Sequence, residues 1–136
     1  MTVVGFNFIK VNAEKKQPVK GKISINNNVT IKNVEEINLA MGKDQKGLKF
    51  SFEFSAKYDP EVANINLDGE VVYMAKADEA REILARWKKE KKIAPGVMGK
   101  VLNTALAKCN IQALILSNDL NIPAPIPLPK VGIKKE

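Results

Sequence analysis

The 136-residue chain contains no histidine and a single cysteine, Cys109. Without an imidazole, the nucleophilic triads and most zinc sites cannot be assembled, and one thiol closes no internal disulfide. Chemistry is left to carboxylates, amines, phenols and hydroxyls, and each cluster of these stops short of a reaction. The stretch "GKDQKGLK" at 42–49 has the two-glycine spacing of a phosphate-cradling loop, yet Leu48 follows Gly47 where such a loop needs Lys and then Ser or Thr. It reads as a connection between strands. Asp68 and Glu70 stand two apart in an alternating segment, share a face and could meet a hard cation, but two oxygens do not make a site. "NVT" at 28–30 is a glycosylation acceptor only on a secretory route. "RWKKEKK" at 86–92 mixes an aromatic with bases as nucleic-acid surfaces do; a Trp87 turned into the core from an amphipathic helix explains it more simply. Cys109 belongs to an apolar run and reads as a buried, inert thiol. No catalytic, metal-binding or cofactor-binding residue is assigned, no cofactor is expected, and an enzyme is the weakest functional class.

The chain must therefore act through shape and surface. At 45% hydrophobic and 27% charged it is an ordinary globular composition, long enough for one domain spanning 1–136, with 131–136 as a disordered basic tail. No apolar run approaches the roughly 18 residues of a membrane helix, and the opening "MTVVGFNFIK" lacks the basic start of a secretory signal, so a cytoplasmic location is expected. The net charge of +7 rests on 22 basic residues of which only Arg81 and Arg86 are arginine. The lysines are dispersed, and lysine is a solvated point charge where base and phosphate readers favour the arginine fork. The bias reads as a wet surface first and an electrostatic partner second, with nucleic acid disfavoured.

Period-two alternation predicts strands. Leu48, Phe50, Phe52, Phe54, Ala56 and Tyr58 alternate with polar residues, "DPE" at 59–61 breaks the run, and Ala63, Ile65, Leu67, Val71 and Tyr73 resume it as the second arm of an antiparallel hairpin. Val4, Phe6 and Phe8 suggest an earlier strand. Val29, Ile31, Ile37 and Leu39 suggest another, with a slip at "NVEE" that predicts a bulge or bend. After residue 75 the period becomes helical. Asp78 is a candidate cap for a short helix carrying Ile83, Leu84 and Trp87; Pro95 and Gly96 break it; and a long helix is predicted from about 97 to 118. That helix is apolar on more than one side, so it must meet the sheet with one flank and something else with another. The fold class is α+β: a four-stranded antiparallel sheet, a short helix, a long helix packed on the sheet and a proline-rich extended tail.

The tail "NIPAPIPLPK" at 121–130 pushes Ile122, Ala124, Ile126 and Leu128 to extended geometry, each preceding a proline. Polar residues would mark a linker; aliphatic ones mark a rigid strap laid on the body. In a two-fold extended form all four would fall on one side.

This order of elements, with "KVLNTALAKCNIQALILSNDLNIP" running into "LPKV" and with the opening "FNFIKV", resembles the SecB protein-export chaperone family. The resemblance covers most of the chain as pattern. It departs where the family carries Pro-Tyr and an arginine in the long helix, Lys108 standing near the latter. It implies an ATP-independent holdase of unfolded polypeptides, assembled as a homotetramer, a dimer of dimers. It implies polypeptide-binding grooves at Ile23, Ile25, Ile93, Val97, Met98, Val101 and Leu102, and an oligomer interface at Leu114 and Ile115. Members of that family are acidic and dock an export motor through that charge, which a chain at +7 does not offer. A single-stranded nucleic-acid binder stacking bases on Phe50 and Phe52, and an adaptor dedicated to one partner, are the competing functions.

Overall fold

The computed structural model describes residues 2–37 and 44–126. Four long strands come first, β1 (Thr2–Lys15), β2 (Ser24–Ile37), β3 (Gln45–Asp59) and β4 (Ala63–Lys76), followed by helices α1 (Ala77–Glu90) and α2 (Pro95–Leu120). The strands form one antiparallel sheet in the order β1-β4-β3-β2, so the two strands joined by the longest described connection become its two edges. Strands and helices are segregated along the chain, the α+β arrangement that the periodicity predicts.

The register explains the alternation. Phe50 pairs with Val71, Phe54 with Leu67 and Tyr58 with Ala63, so the apolar sets of β3 and β4 share one face. Leu48, Phe50, Phe52, Phe54, Ala56, Tyr58, Ile65, Leu67, Val71 and Tyr73 are all buried there. Each large side chain contributes about 1.5–3 kcal/mol through burial. The opposite face is wet and laced by ion pairs that cross strands: Lys32 with Glu53, and Lys49 with Glu35 at 2.5 Å and Glu70 at 3.0 Å. Glu70 is thus committed to a lysine, which accounts for one of the two carboxylates that might have met a cation.

The edge strands depart from simple alternation. In β1 the register shifts between Val3 and Gly5 and again between Phe8 and Lys10. The inserted residues are Val4 and Ile9, and it is Val3, not Val4, that packs on the core with Phe6 and Phe8. In β2 the shift falls between Ile31 and Asn33, which realises the predicted slip and brings Val34 rather than a later residue onto the core face. Leu39 and the glycine at 42 lie outside the described residues.

Two helix boundaries differ from the sequence expectation. Asp78 does not cap α1: the cap position is Lys76, without a side-chain hydrogen bond, and Asp78 sits inside the first turn beside Glu79. Carboxylates there still favour the positive end of the helix dipole. Pro95 does not end a helix but opens one. It occupies the first turn of α2, where its missing N–H costs no hydrogen bond. The helix continues to Leu120, closing on Asn121 in the left-handed conformation, with the Ile122 N–H donating to the Ser117 carbonyl at 3.0 Å.

Candidate functional site

The helices divide the apolar face of the sheet between them. α1 lies over β2, β3 and β4, while α2 lies over β1 and β4. α2 starts beside α1, where Ile83, Ala94 and Val97 line a shared cavity. It ends beside the tip of the β3–β4 hairpin, where Tyr58 meets the chain that follows. That following segment is the proline strap. Tyr58 donates from its hydroxyl to the Pro123 carbonyl at 2.5 Å, and Asn27 donates from Nδ2 to the Pro125 carbonyl at 2.7 Å. The strap thus crosses from α2 over β3 to β2, and Ile122 is buried against the body. Its geometry is not the uniform extension read from the prolines. The chain bends at 125–126, and Pro125 is buried while Ala124 and Ile126 are only half so. Leu128 lies outside the described residues.

α2 shows what its crowded apolar sequence is for. Val97, Val101, Ala105, Cys109 and Ala113 are buried at a spacing of four. Cys109 has no exposed surface, and burial pushes its thiol up to about 12, so it is a core residue without nucleophilic character at neutral pH. On the far side, Ile111 is 60% and Ile115 49% exposed, side chains of a kind that a self-sufficient globule covers when it can. On β1, the edge strand beneath α2, Ile9 is 61% exposed, and Val4 and Val11 are exposed as well.

Placed on this frame, the residues expected to bind polypeptide fall into two groups. Ile93 and Val97 are buried at the α1–α2 junction and Val101 is wholly enclosed, with Met98 and Leu102 half-buried on the adjoining flank of the same turns. Ile23 and Ile25 are half-buried at the other end of the molecule: Ile25 pairs with Tyr58, whose hydroxyl meets the strap beyond the C-terminus of α2. The fold therefore does not bring the two groups into one groove within a single chain. It joins Ile23 and Ile25 to the strap, and Met98 and Leu102 to the helix junction. Leu114 is half-buried beside the exposed Ile115. Sequence reasoning passed over Ile9, Val11 and Ile111. The signal for Ile9 was its parity, since it is out of phase with Phe6 and Phe8.

Among the described residues no group of three or more acidic, histidine or cysteine side chains could hold a metal ion, and no helix is long and apolar enough to cross a membrane. Phe50 and Phe52 are 0% and 2% exposed beneath the helices, so they cannot stack bases. Trp87 is buried, with the Lys91 ammonium 5.2 Å from its ring centroid.

This is the architecture of a SecB-like α+β fold. Among solved structures the chain is similar to a Mycobacterium tuberculosis SecB-like chaperone in complex with a ChAD peptide from an antitoxin, with a TM-score of 0.55 and 12% identity over 96% of this chain and 89% of that one. At that identity the likeness is one of fold. No protein-family model and no curated protein matches the sequence.

Proposed function

We propose that this protein is an ATP-independent holdase that keeps non-native polypeptide from aggregating, and that it works as a homo-oligomer, a dimer of dimers, in the cytoplasm. The observation that carries the reading is aliphatic surface left over once the core is complete: Met98 and Leu102 on one flank of α2 and Ile9 on β1 are open to a client, while Ile111 and Ile115 on the far side of the helix are open to a second copy. Adaptable apolar surfaces of this kind hold extended chains without reading their sequence. The polypeptide-binding surface comprises Met98 and Leu102, supported from below by Ile93, Val97 and Val101, together with Ile23 and Ile25 beside the strap. Leu114 and Ile115 face a second copy. Edge strands β1 and β2 offer backbone groups that a client can pair with. The whole of 1–136 acts as one domain, and the reading is of a protein without enzymatic activity. The test is light scattering of a chemically unfolded model protein diluted into buffer. Near-stoichiometric amounts suppress the signal; no suppression at several-fold excess removes the proposal.

A partner-specific version is favoured by one observation. The structurally similar Mycobacterium chaperone was solved in complex with a peptide from an antitoxin. A pull-down yielding one dominant partner in place of many clients selects it.

A further inference from the structure

The strap is held by its main chain. Tyr58 on β3 and Asn27 on β2 each donate from a side chain to a backbone carbonyl, and the two carbonyls, those of Pro123 and Pro125, stand two residues apart. Among the described residues no backbone hydrogen bond joins 123–126 to a strand, so the strap is not a fifth member of the sheet. It buries Ile122 and Pro125. Proline has no N–H, so the buried position at 125 carries no donor in need of an acceptor, whereas any other residue there would bring one. The strap also follows α2 without a linker: Asn121 closes the helix, and the Ile122 N–H still donates to the Ser117 carbonyl at 3.0 Å. So short a tether keeps the local concentration of the strap at its seat high.

We propose that the surface around Tyr58 and Asn27 is a binding site for extended client segments in which prolines alternate with aliphatic residues, and that the chain's own strap occupies it at rest. The inference rests on the polypeptide-binding reading above and adds to it a sequence preference and a built-in competitor. The seated strap identifies the occupant: from 122 to 126 it is uncharged and aliphatic, with prolines at both positions whose carbonyls are held. A charged segment gains nothing here, since the donors are a neutral phenol and a neutral amide. A client displaces the strap only when its own affinity or local concentration exceeds that of the tethered segment. The strap thus sets a threshold that admits long unfolded chains, gripped at several points, ahead of short peptides.

The experiment follows the anisotropy of a fluorescein-labelled peptide, Asn-Ile-Pro-Ala-Pro-Ile, with three full-length chains. These are the parent, a variant with four Gly-Ser pairs inserted between Asn121 and Ile122, and I122S/P123G/P125G, which keeps the surface and disables the competitor. The substituted chain is expected to bind at least tenfold more tightly than the parent, with the insertion variant in between. A peptide carrying alanine in place of both prolines is expected to bind at least fivefold more weakly, and adding Y58F/N27A to the substituted chain is expected to abolish the gain. If the substituted chain fails to fold by circular dichroism, the insertion variant decides, because it retains every contact residue: threefold tighter binding upholds the site, and binding equal to the parent's overturns it. Aggregation of an unfolded model protein is followed by light scattering alongside. Variants that suppress it yet bind the peptide no better than the parent overturn this site alone; no suppression by parent or variants overturns the polypeptide-binding reading as well. Binding unchanged by Y58F/N27A overturns the assignment to this surface, and equal binding of the alanine peptide overturns the proline preference. Larger assemblies of the insertion variant that free peptide dissolves would give the surface to the strap of a second copy and overturn the client assignment.

Discussion

The Tyr58 hydroxyl donates to the Pro123 carbonyl at 2.5 Å, tying the end of β3 to a residue 65 positions later in the chain. The phenol side of the bond is withdrawn from water, since Tyr58 is 1% exposed, while Pro123 lies at the surface. Tyr58→Phe removes the donor and leaves a carbonyl without its partner, at a cost of about 1–2 kcal/mol. A urea titration should show a lower midpoint with an unchanged slope. A midpoint equal to that of the parent chain would mean that the strap is not anchored there.

Gly69 lies beneath an aromatic ring. A Cβ built on it would fall 2.5 Å from the Phe52 Cζ and 2.8 Å from the Asn7 backbone oxygen, and the latter is part of the β1 ladder and cannot swing aside. Phe52 in turn stacks towards Phe6, with centroids 5.6 Å apart. Gly69→Ala should therefore destabilise the protein by about 1–3 kcal/mol through overpacking, although alanine has the better strand propensity. Thermal unfolding of the variant is the check.

Alkaline pH should weaken the fold. Burial raises both the Cys109 thiol, from 9.0, and the Tyr58 phenol, from 10.0, to about 12. Each is neutral when protonated, so the native state keeps its proton while the unfolded chain loses it first. The stability they contribute is intact below about pH 9 and is lost progressively as pH climbs towards 12. Melting temperatures should fall over that window. Cys109→Ala should flatten the decline from its start, and Tyr58→Phe only from about pH 10.

Charging the outer side of α2 should break assembly without unfolding the chain. Ile111 and Ile115 are one helical turn apart and point away from the sheet. The double substitution I111E/I115E should leave the circular dichroism spectrum unchanged and convert the proposed oligomer to a monomer by multi-angle light scattering. A parent chain already monomeric at micromolar concentration would remove the reason given for these exposed residues.

Much of this fold was legible because alternation and helical periodicity each follow from burial on one side. The β3–β4 hairpin, the bulge near Ile31, the buried Cys109 and the inward Trp87 all follow from that rule. The β1 phasing was not legible, because two inserted residues change parity within fourteen and no composition signal marks them. The start of α2 was misplaced because proline reads as a stop within a pattern but as a start at a first turn. The grouping of Ile23 and Ile25 with Met98 came from the family resemblance alone. Register and strap contacts, which decide where the ends of a 26-residue helix lie, are long-range facts that local pattern does not carry.

The fourfold spacing along α2 has a geometric corollary. Four residues turn a helix by about 400°, so each successive inward residue sits some 40° further round the axis than the last. Across the steps from Val97 to Ser117 the bearing side migrates about half a circumference, and so does the bare side opposite it. Met98 and Leu102 near one end, and Ile111 and Ile115 towards the other, consequently look in different compass directions from one rod. Deleting a single residue midway would swing the distal half by about 100° and uncouple those two bearings, even with every side chain still in place.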